Sequence, residues 1–486
     1  MRVVKIGAIV AAIVVAGLAA AAVAVYSSAD TSNVGKLGFE HELAIPPLLE
    51  ARTDGDGRKV FDLALQEGNV ELIPGKQTRT WGANGPHLAP TLRASRGDRV
   101  MPRVRNRLGE ATTTIHWHGM HLPAVADGGP HQPIRPGETW TPEWTVDQPA
   151  ATLWYHPHPH PDTEDQVYRG LVGMFILDDP EAAALALPDD YGVDDIPLLI
   201  QDKKFEDDGS LDFSKGLVSP TGLLGDEILV NGTHDPHLAV RHERVRLRLV
   251  NASGARVYNI GFADERPFEL VATDGGLLPA PHATRRIQLS PGERAEIVAR
   301  FEPGEEVVLR SFEPDLGTNF FDGRFSGADD TFDLLEVRAA RRLADAPALP
   351  TRLAAPEPAP PGPRARIRRF ELSGQGSINA QSLDMERIDE VVRAGTTETW
   401  EATNVSGQPH VFHPHDVRFR VLEYGGERPP PHLRGPKDTV YLRPHETVRL
   451  AIRFGDLTDP EHPYMFHCHV LQHEDRGMMG QFTVVE

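Results

Sequence analysis

His467-Cys468-His469-Val470-Leu471-Gln472-His473-Glu474-Asp475-Arg476-Gly477-Met478-Met479, near the end of the chain, is the stretch on which the reading of this sequence turns. On an extended backbone, residues i and i+2 point to one side and the residue between them to the other. His467 and His469 therefore present two imidazoles in one direction, and Cys468 presents its sulfur in the opposite one. His473 and Met478 follow, and His410 lies upstream. Alone, Cys468 reads as a buried apolar thiol and Met478 as core packing. Together, two imidazoles, one thiolate and a weak thioether form the ligand set of a blue-copper electron-transfer site.

Three more His-x-His pairs occur: His116-Trp117-His118, His156-Pro157-His158 and His413-Pro414-His415. One such pair is expected by accident among 22 histidines. Four pairs, two in each end segment of the chain, are not. Their eight imidazoles suffice for a multinuclear metal site, since neutral imidazole binds copper, zinc or iron. His41, His87, His121, His131 and His160 read as surface or hydrogen-bonding residues. The segment 467–469 would touch both sites, separated by on the order of 10 Å from strand and side-chain dimensions. Electrons arriving at the sulfur could then leave through its two histidine neighbours.

The rest of the chain reads as all-β. It has 486 residues, enough for two to four domains, with 42 prolines and 44 glycines that favour many turns and short elements. Strands are expected at 60–65, 195–200 and 244–250. The last alternates arginine with apolar residues and predicts one buried and one solvated face. An internal echo runs Gly85-Pro86-His87-Leu88-Ala89-Pro90 to Asn106, Asp235-Pro236-His237-Leu238-Ala239-Val240 to Asn251, and more faintly Val391-Val392-Arg393-Ala394-Gly395 to Asn404. It suggests three copies of one β-domain. The expected organisation is 1–50 as export signal or membrane anchor plus tether, 51–185 and 186–345 as the first two domains, 346–365 as a Pro/Ala-rich linker, and 366–486 as the third.

The net charge of −20 at pH 7 repels phosphate backbones and argues against nucleic-acid partners. The single cysteine excludes an intrachain disulfide. Arg2 and Lys5 precede an apolar run over 6–26, and Ala22-Val23-Ala24 offers a small-residue cleavage site. The run reads equally as a cleaved export signal or as an anchor, and is the only expected membrane contact. Either way the body is expected outside the cytoplasmic membrane, in the envelope, periplasm or medium.

These motifs resemble the multicopper oxidases, the family of laccases, bilirubin oxidases and bacterial cuprous oxidases. The likeness covers nearly the whole chain beyond about residue 55 and is strongest at 116–119, 154–158, 410–415 and 467–479. It implies three cupredoxin-like Greek-key β-sandwiches and four coppers per chain. It makes His410, Cys468, His473 and Met478 the blue-copper ligands, and His116 and His413 the ligands of the single copper of a trinuclear cluster. His118, His156, His158, His415, His467 and His469 would hold the coupled pair. Asp127 and Glu474 resemble the family's proton suppliers, or else orient the ligating imidazoles. The implied activity is one-electron oxidation of a phenol, aromatic amine or tetrapyrrole-like reductant, coupled to four-electron reduction of dioxygen to water. A cuprous or other metal-ion oxidase is the alternative, and a non-catalytic envelope or copper-storage protein a third. The family often has proline after the residue matching His410. Here Val411 stands there, and Pro414, like prolines 157, 159 and 161, predicts a sheet edge or rim. The middle domain, without a His-x-His pair, is expected to be a spacer or substrate wall.

Overall fold

A computed structural model of the chain describes residues 13–21, 23, 25–27, 31–215, 221–355, 361–362 and 365–486. Six sheets pair into three sandwiches in chain order. Each buries an apolar core drawn from both of its sheets. The first is built on Phe61, Leu63, Val104, Trp117, Leu153 and Phe175, the second on Leu198, Leu247, Ile260, Leu309 and Val337, and the third on Phe370, Trp400, Phe412, Phe466 and Phe482. Period-two patterning makes these cores: Arg99–Asn106 alternates outward and buried residues along its length. Strand order is not sequential, as Greek keys require. One sheet of the first sandwich runs Leu92–Ser95, Gly173–Asp178, Ala151–His156, His116–His118. The all-β, three-sandwich expectation therefore describes the chain.

The internal echo ends on three equivalent asparagines. Asn106, Asn251 and Asn404 each close a strand paired in parallel with an earlier one, opposite Leu65, Ile200 and Leu372. All three are fully buried. Each side chain ties the same kind of turn. Its Oδ1 accepts from the amide two residues on (Leu108, Ser253, Ser406). Its Nδ2 donates to two carbonyls: Ala111 and Ile134, Arg256 and Leu289, Gln408 and Leu442. A buried amide that satisfies three backbone groups fixes the turn chemically, which is why the residue recurs.

One expectation needs correction. Strand Arg244–Asn251 is buried on both faces. Arg246 and Arg248 are buried and neutralised in place. Arg248 forks onto Asp195 at 2.7 and 2.8 Å and also donates to Glu296 and to Thr152 of the first sandwich, each at 2.9 Å. Of the two positions expected for Pro414 and Pro157, an edge strand or a rim, they take the rim. His410–Pro414 lies between Val440–Leu442 and Asp459–Cys468, and only His410 to Phe412 face the first of these. Pro414 therefore sits past the end of that ladder, where no donor is needed. Pro157 likewise follows the last residue of Ala151–His156.

The segment expected as a tether is laced onto the middle sandwich from residue 31. Asn33 exchanges hydrogen bonds with the Asp333 backbone, donating at 3.0 Å and accepting at 2.6 Å. His41–Glu42 adds a short parallel strand beside Pro236–His242. Leu43 enters the middle core. The Asp235 carboxylate accepts from the amides of Gly38, Phe39 and Glu40 at 3.3, 2.6 and 3.4 Å. Ile13–Ala21 are helical, and further on Tyr26 stacks on Phe320 with centroids 5.1 Å apart. Among the described residues no helix is long and apolar enough to cross a membrane. Arg2, Lys5 and the start of the apolar run, and Ala22 and Ala24 of the cleavage motif, lie outside the described residues.

Asp235→Ala is expected to cost about 1–3 kcal/mol, because it strips three backbone donors of their acceptor. The checks are a lower melting temperature and faster proteolysis between residues 31 and 43. Unchanged proteolysis would show that Leu43 and the Asn33 contacts alone hold the segment.

Candidate metal centre

The four His-x-His pairs converge on the seam between the first and third sandwiches. In the first, His116–His118 pairs with Ala151–His156, so His116 faces His156 across the ladder. In the third, His410–Pro414 pairs with Asp459–Cys468, so His413 faces His467. Rings from opposite sides of the seam then stack: His116 on His415 and His118 on His413, each with centroids 3.8 Å apart. All eight are buried. Their donor atoms gather in groups within 4.8 Å: His158, His415 and His467; His118, His156 and His469; and His116, His118 and His413.

Most of these rings are aimed by what the outer nitrogen meets. His116 Nδ1 donates to the Asp127 carbonyl at 2.9 Å, His413 Nδ1 to the Asp438 carbonyl at 2.8 Å, and His156 Nδ1 to the Pro157 carbonyl at 2.8 Å. His415 Nδ1 donates to the Asp127 carboxylate at 2.7 Å. Glu474 lies 3.3 Å from His158 Nδ1 and 3.2 Å from His467 Nδ1. A neutral imidazole has one N–H and one lone pair, so an outward N–H leaves the lone pair pointing inward. His118 is turned the other way. Its Nε2 meets Thr439 Oγ1 at 2.9 Å and Asp438 at 3.2 Å, and its Nδ1 faces His469 Nε2 at 3.2 Å.

The second site lies on the sulfur side of the same segment. Cys468 Sγ is 3.6 Å from both His410 Nδ1 and His473 Nδ1, which are 3.2 Å from each other. His410 Nε2 is occupied by Ser406 Oγ at 2.9 Å. Met478 is fully buried, and its carbonyl accepts from the Cys468 amide at 3.0 Å. Burial pushes the Cys468 thiol up to about 12, so metal binding there must displace a proton.

These residues fit a metal. His116 Nε2, His156 Nε2 and His413 Nε2 are buried without a hydrogen-bond partner among the described residues. Such orphaned acceptors are costly unless something coordinates them. Imidazole nitrogens with one thiolate are donors that suit copper. Every histidine and the cysteine singled out in the sequence fall in one site or the other. Asp438, Thr439 and Ser406 were not foreseen from the sequence. Nor were Arg294, which grips Asp438, and Gly292, where an added Cβ would lie 3.0 Å from the His469 ring. The last two belong to the middle sandwich, so it is more than a spacer.

The geometry agrees with the comparisons to known proteins. Two multicopper oxidase family models match residues 64–182 and 357–486. The chain is 36% identical over 451 residues to the multicopper oxidase mco of Staphylococcus haemolyticus, covering 92% of this chain and 93% of that one. It is 34% identical over 469 residues to the cell division protein FtsP of Escherichia coli, covering 96% and 97%. The crystal structure of a laccase from Pediococcus acidilactici superposes with a TM-score of 0.84 at 33% identity, covering 92% and 94%. The chain belongs to the multicopper oxidase family, a class of copper-dependent oxidoreductases with cupredoxin folds.

Burial holds His118, His156, His410, His413, His415 and His469 well below the usual histidine range, and lowers His158 to about 4. In the metal-free protein the unfolded chain therefore binds protons that the folded chain does not. Stability then rises with pH through this window. It should be fully present above the ordinary value of 6.5 and be lost as pH falls toward about 4. Thermal unfolding in chelator at stepped pH checks this, and a flat profile would contradict it.

Proposed function

We propose that this chain is an active oxidase of the envelope or exterior. In this reading it takes electrons singly from a small organic reductant and delivers them to dioxygen. The observation that carries the reading is the segment His467-Cys468-His469. Its sulfur sits with His410 and His473, and its two imidazoles sit in the cluster. On this reading His410, Cys468, His473 and Met478 hold a blue copper. His116 and His413 hold one copper of the cluster, and His118, His156, His158, His415, His467 and His469 hold the other two. Copper so held supplies one-electron redox chemistry at the sulfur site and reduction of dioxygen to water at the cluster.

The chain's own residues do the rest. Cys468 joins the sites through two covalent neighbours. Asp127 and Glu474 orient His415, His158 and His467, and they are the carboxylates placed to hand protons to a reaction that consumes four per dioxygen. Burial acts to raise the Glu474 carboxyl, and the His158 and His467 rings outweigh that and hold it below the usual range. The organic reductant is favoured by exposed aromatic side chains on the short helix Phe320–Arg324, whose Asp322 approaches the turn before His410. Phe320 and Phe321 are 78% and 53% exposed. On the same short helix, Asp322 lies 3.4 Å from where a Cβ of Gly407 would stand, three residues before His410. The chain has only 8 methionines, few for a surface that would select cuprous ions through soft thioethers.

Oxygen uptake with a phenol, bilirubin, cuprous and ferrous ions tests the reading. The organic reductants should turn over fastest. Faster turnover with cuprous ion would shift the assignment to a metal oxidase. No uptake with any of these reductants, or fewer than four coppers after reconstitution, would leave a non-enzymatic envelope or copper-storage protein. Cys468→Ser should abolish the blue colour and substrate oxidation without unfolding the protein, and a blue mutant would refute the sulfur assignment. Met478→Leu should raise the blue-copper potential with copper retained, because a weak axial donor is lost. A redox titration giving the same potential would exclude Met478 from the axial position.

A further inference from the structure

The middle sandwich sends one arginine into the seam. Arg294 opens the strand Arg294–Arg300 and is completely buried. Its guanidinium forks onto the third sandwich, with Nη1 2.6 Å from Asp438 Oδ1 and Nη2 2.6 Å from Asp438 Oδ2. Its Nε donates to the Thr152 carbonyl of the first sandwich at 3.0 Å. Its remaining donors meet the carbonyls of Gly292 at 3.1 Å and Asp274 at 2.9 Å. Arg294 thus touches all three sandwiches, and its planar fork allows Asp438 one orientation.

What Asp438 does in that orientation is specific. Its Oδ1 lies 3.2 Å from His118 Nε2 and accepts from Thr439 Oγ1 at 2.8 Å, while Thr439 Oγ1 itself is 2.9 Å from His118 Nε2. Its main-chain carbonyl accepts from His413 Nδ1. The space around the clamp is closed. A Cβ on Gly119, next to His118, would lie 2.5 Å from Asp438 Oδ2 and 2.7 Å from Arg294 Nη2. Gly119 also has φ +85°, which a larger residue would adopt only under strain.

We propose that Arg294 is a positioning residue for the imidazole cluster. It locks Asp438 so that Asp438 and Thr439 occupy His118 Nε2, which leaves Nδ1 as the only lone pair that His118 can offer inward. This rests on the copper-oxidase reading above. Without the fork, Asp438 is a buried carboxylate free to rotate, and His118 can exchange its tautomer or its tilt. Loss of such an outer partner typically weakens metal binding about 10–100-fold.

The test uses the full-length protein reconstituted with copper, in the wild type and in Arg294→Lys, Asp438→Asn and the pair Arg294→Met/Asp438→Asn. The double change removes both buried charges together, so it remains informative where a lone uncompensated charge prevents folding. Copper content under graded chelator and the electron paramagnetic resonance spectrum, which separates blue from non-blue copper, are read alongside the blue absorption. The expected result is an unchanged blue signal, an altered non-blue signal, and cluster copper lost at about 10–100-fold lower chelator concentration in Asp438→Asn and the double variant. Arg294→Lys should fall between these and the wild type, because an ammonium cannot fork onto both oxygens. Wild-type spectra and copper retention in the variants would overturn the clamp, as would loss of blue and non-blue signals together, which marks a merely structural role. A wild type that never loads four coppers would instead sink the oxidase reading itself.

Discussion

Eight imidazoles held dry in one seam are the constraint around which the molecule is organised. Desolvation favours the neutral form at His118, His413 and His415, and a neutral ring has one lone pair to present inward. The surrounding structure then has one task at most of these rings, which is to occupy the outer nitrogen. Carbonyls of Asp127, Pro157 and Asp438 do so at three rings, and the carboxylate of Asp127 at a fourth. The ladders that carry these rings end at the seam, and His156, Pro414 and Cys468 are the last residues of their strands. Regular structure thus supplies direction up to the site, and irregular chain beyond it supplies room for a metal.

The middle sandwich gives the seam its rigidity. Arg246 and Arg248 share Asp195 and Glu296, and Thr152 of the first sandwich joins them. Arg294, Asp438, Asp274, Lys437 and Glu293 form a second buried network toward the third sandwich. Buried ion pairs contribute little net stability, and breaking one of them leaves an expensive orphan. Their effect is to make one relative placement of the three bodies far better than its neighbours. A site assembled from two bodies needs that discrimination more than it needs additional stability.

The sequence revealed chemistry well and context poorly. The ligands were legible because few residue types bind copper and because i, i+2 spacing converts directly into shared direction. The repeat was legible through Asn106, Asn251 and Asn404, whose turn leaves little choice of side chain. The burial of Arg246 and Arg248 was not. Alternation shows that a strand has a polar face, but not whether another body covers it. Asp438 was hidden for a related reason, since its ring partner His118 stands 320 positions away and no local motif marks Asp438 itself. The tether misled because the partners that hold it from residue 31 on, Asp235 and Asp333 among them, lie about two to three hundred positions later. Pro414 and Pro157 left edge and rim undecided only because the end of a ladder cannot be located from composition.

His41–Glu42 is only two residues long, yet it sits at the outer margin of a six-stranded sheet and covers Pro236–His242. An uncovered margin of that kind is a template for any extended chain that drifts past, including another copy of the same protein. Those two residues thus act as a stopper against strand-by-strand polymerisation. The stopper is supplied by the stretch that leads in from the N-terminus. How far that stretch may be trimmed is therefore a question of solubility: a cut ahead of residue 31 spares the seal, whereas one past residue 43 would leave a sticky flank.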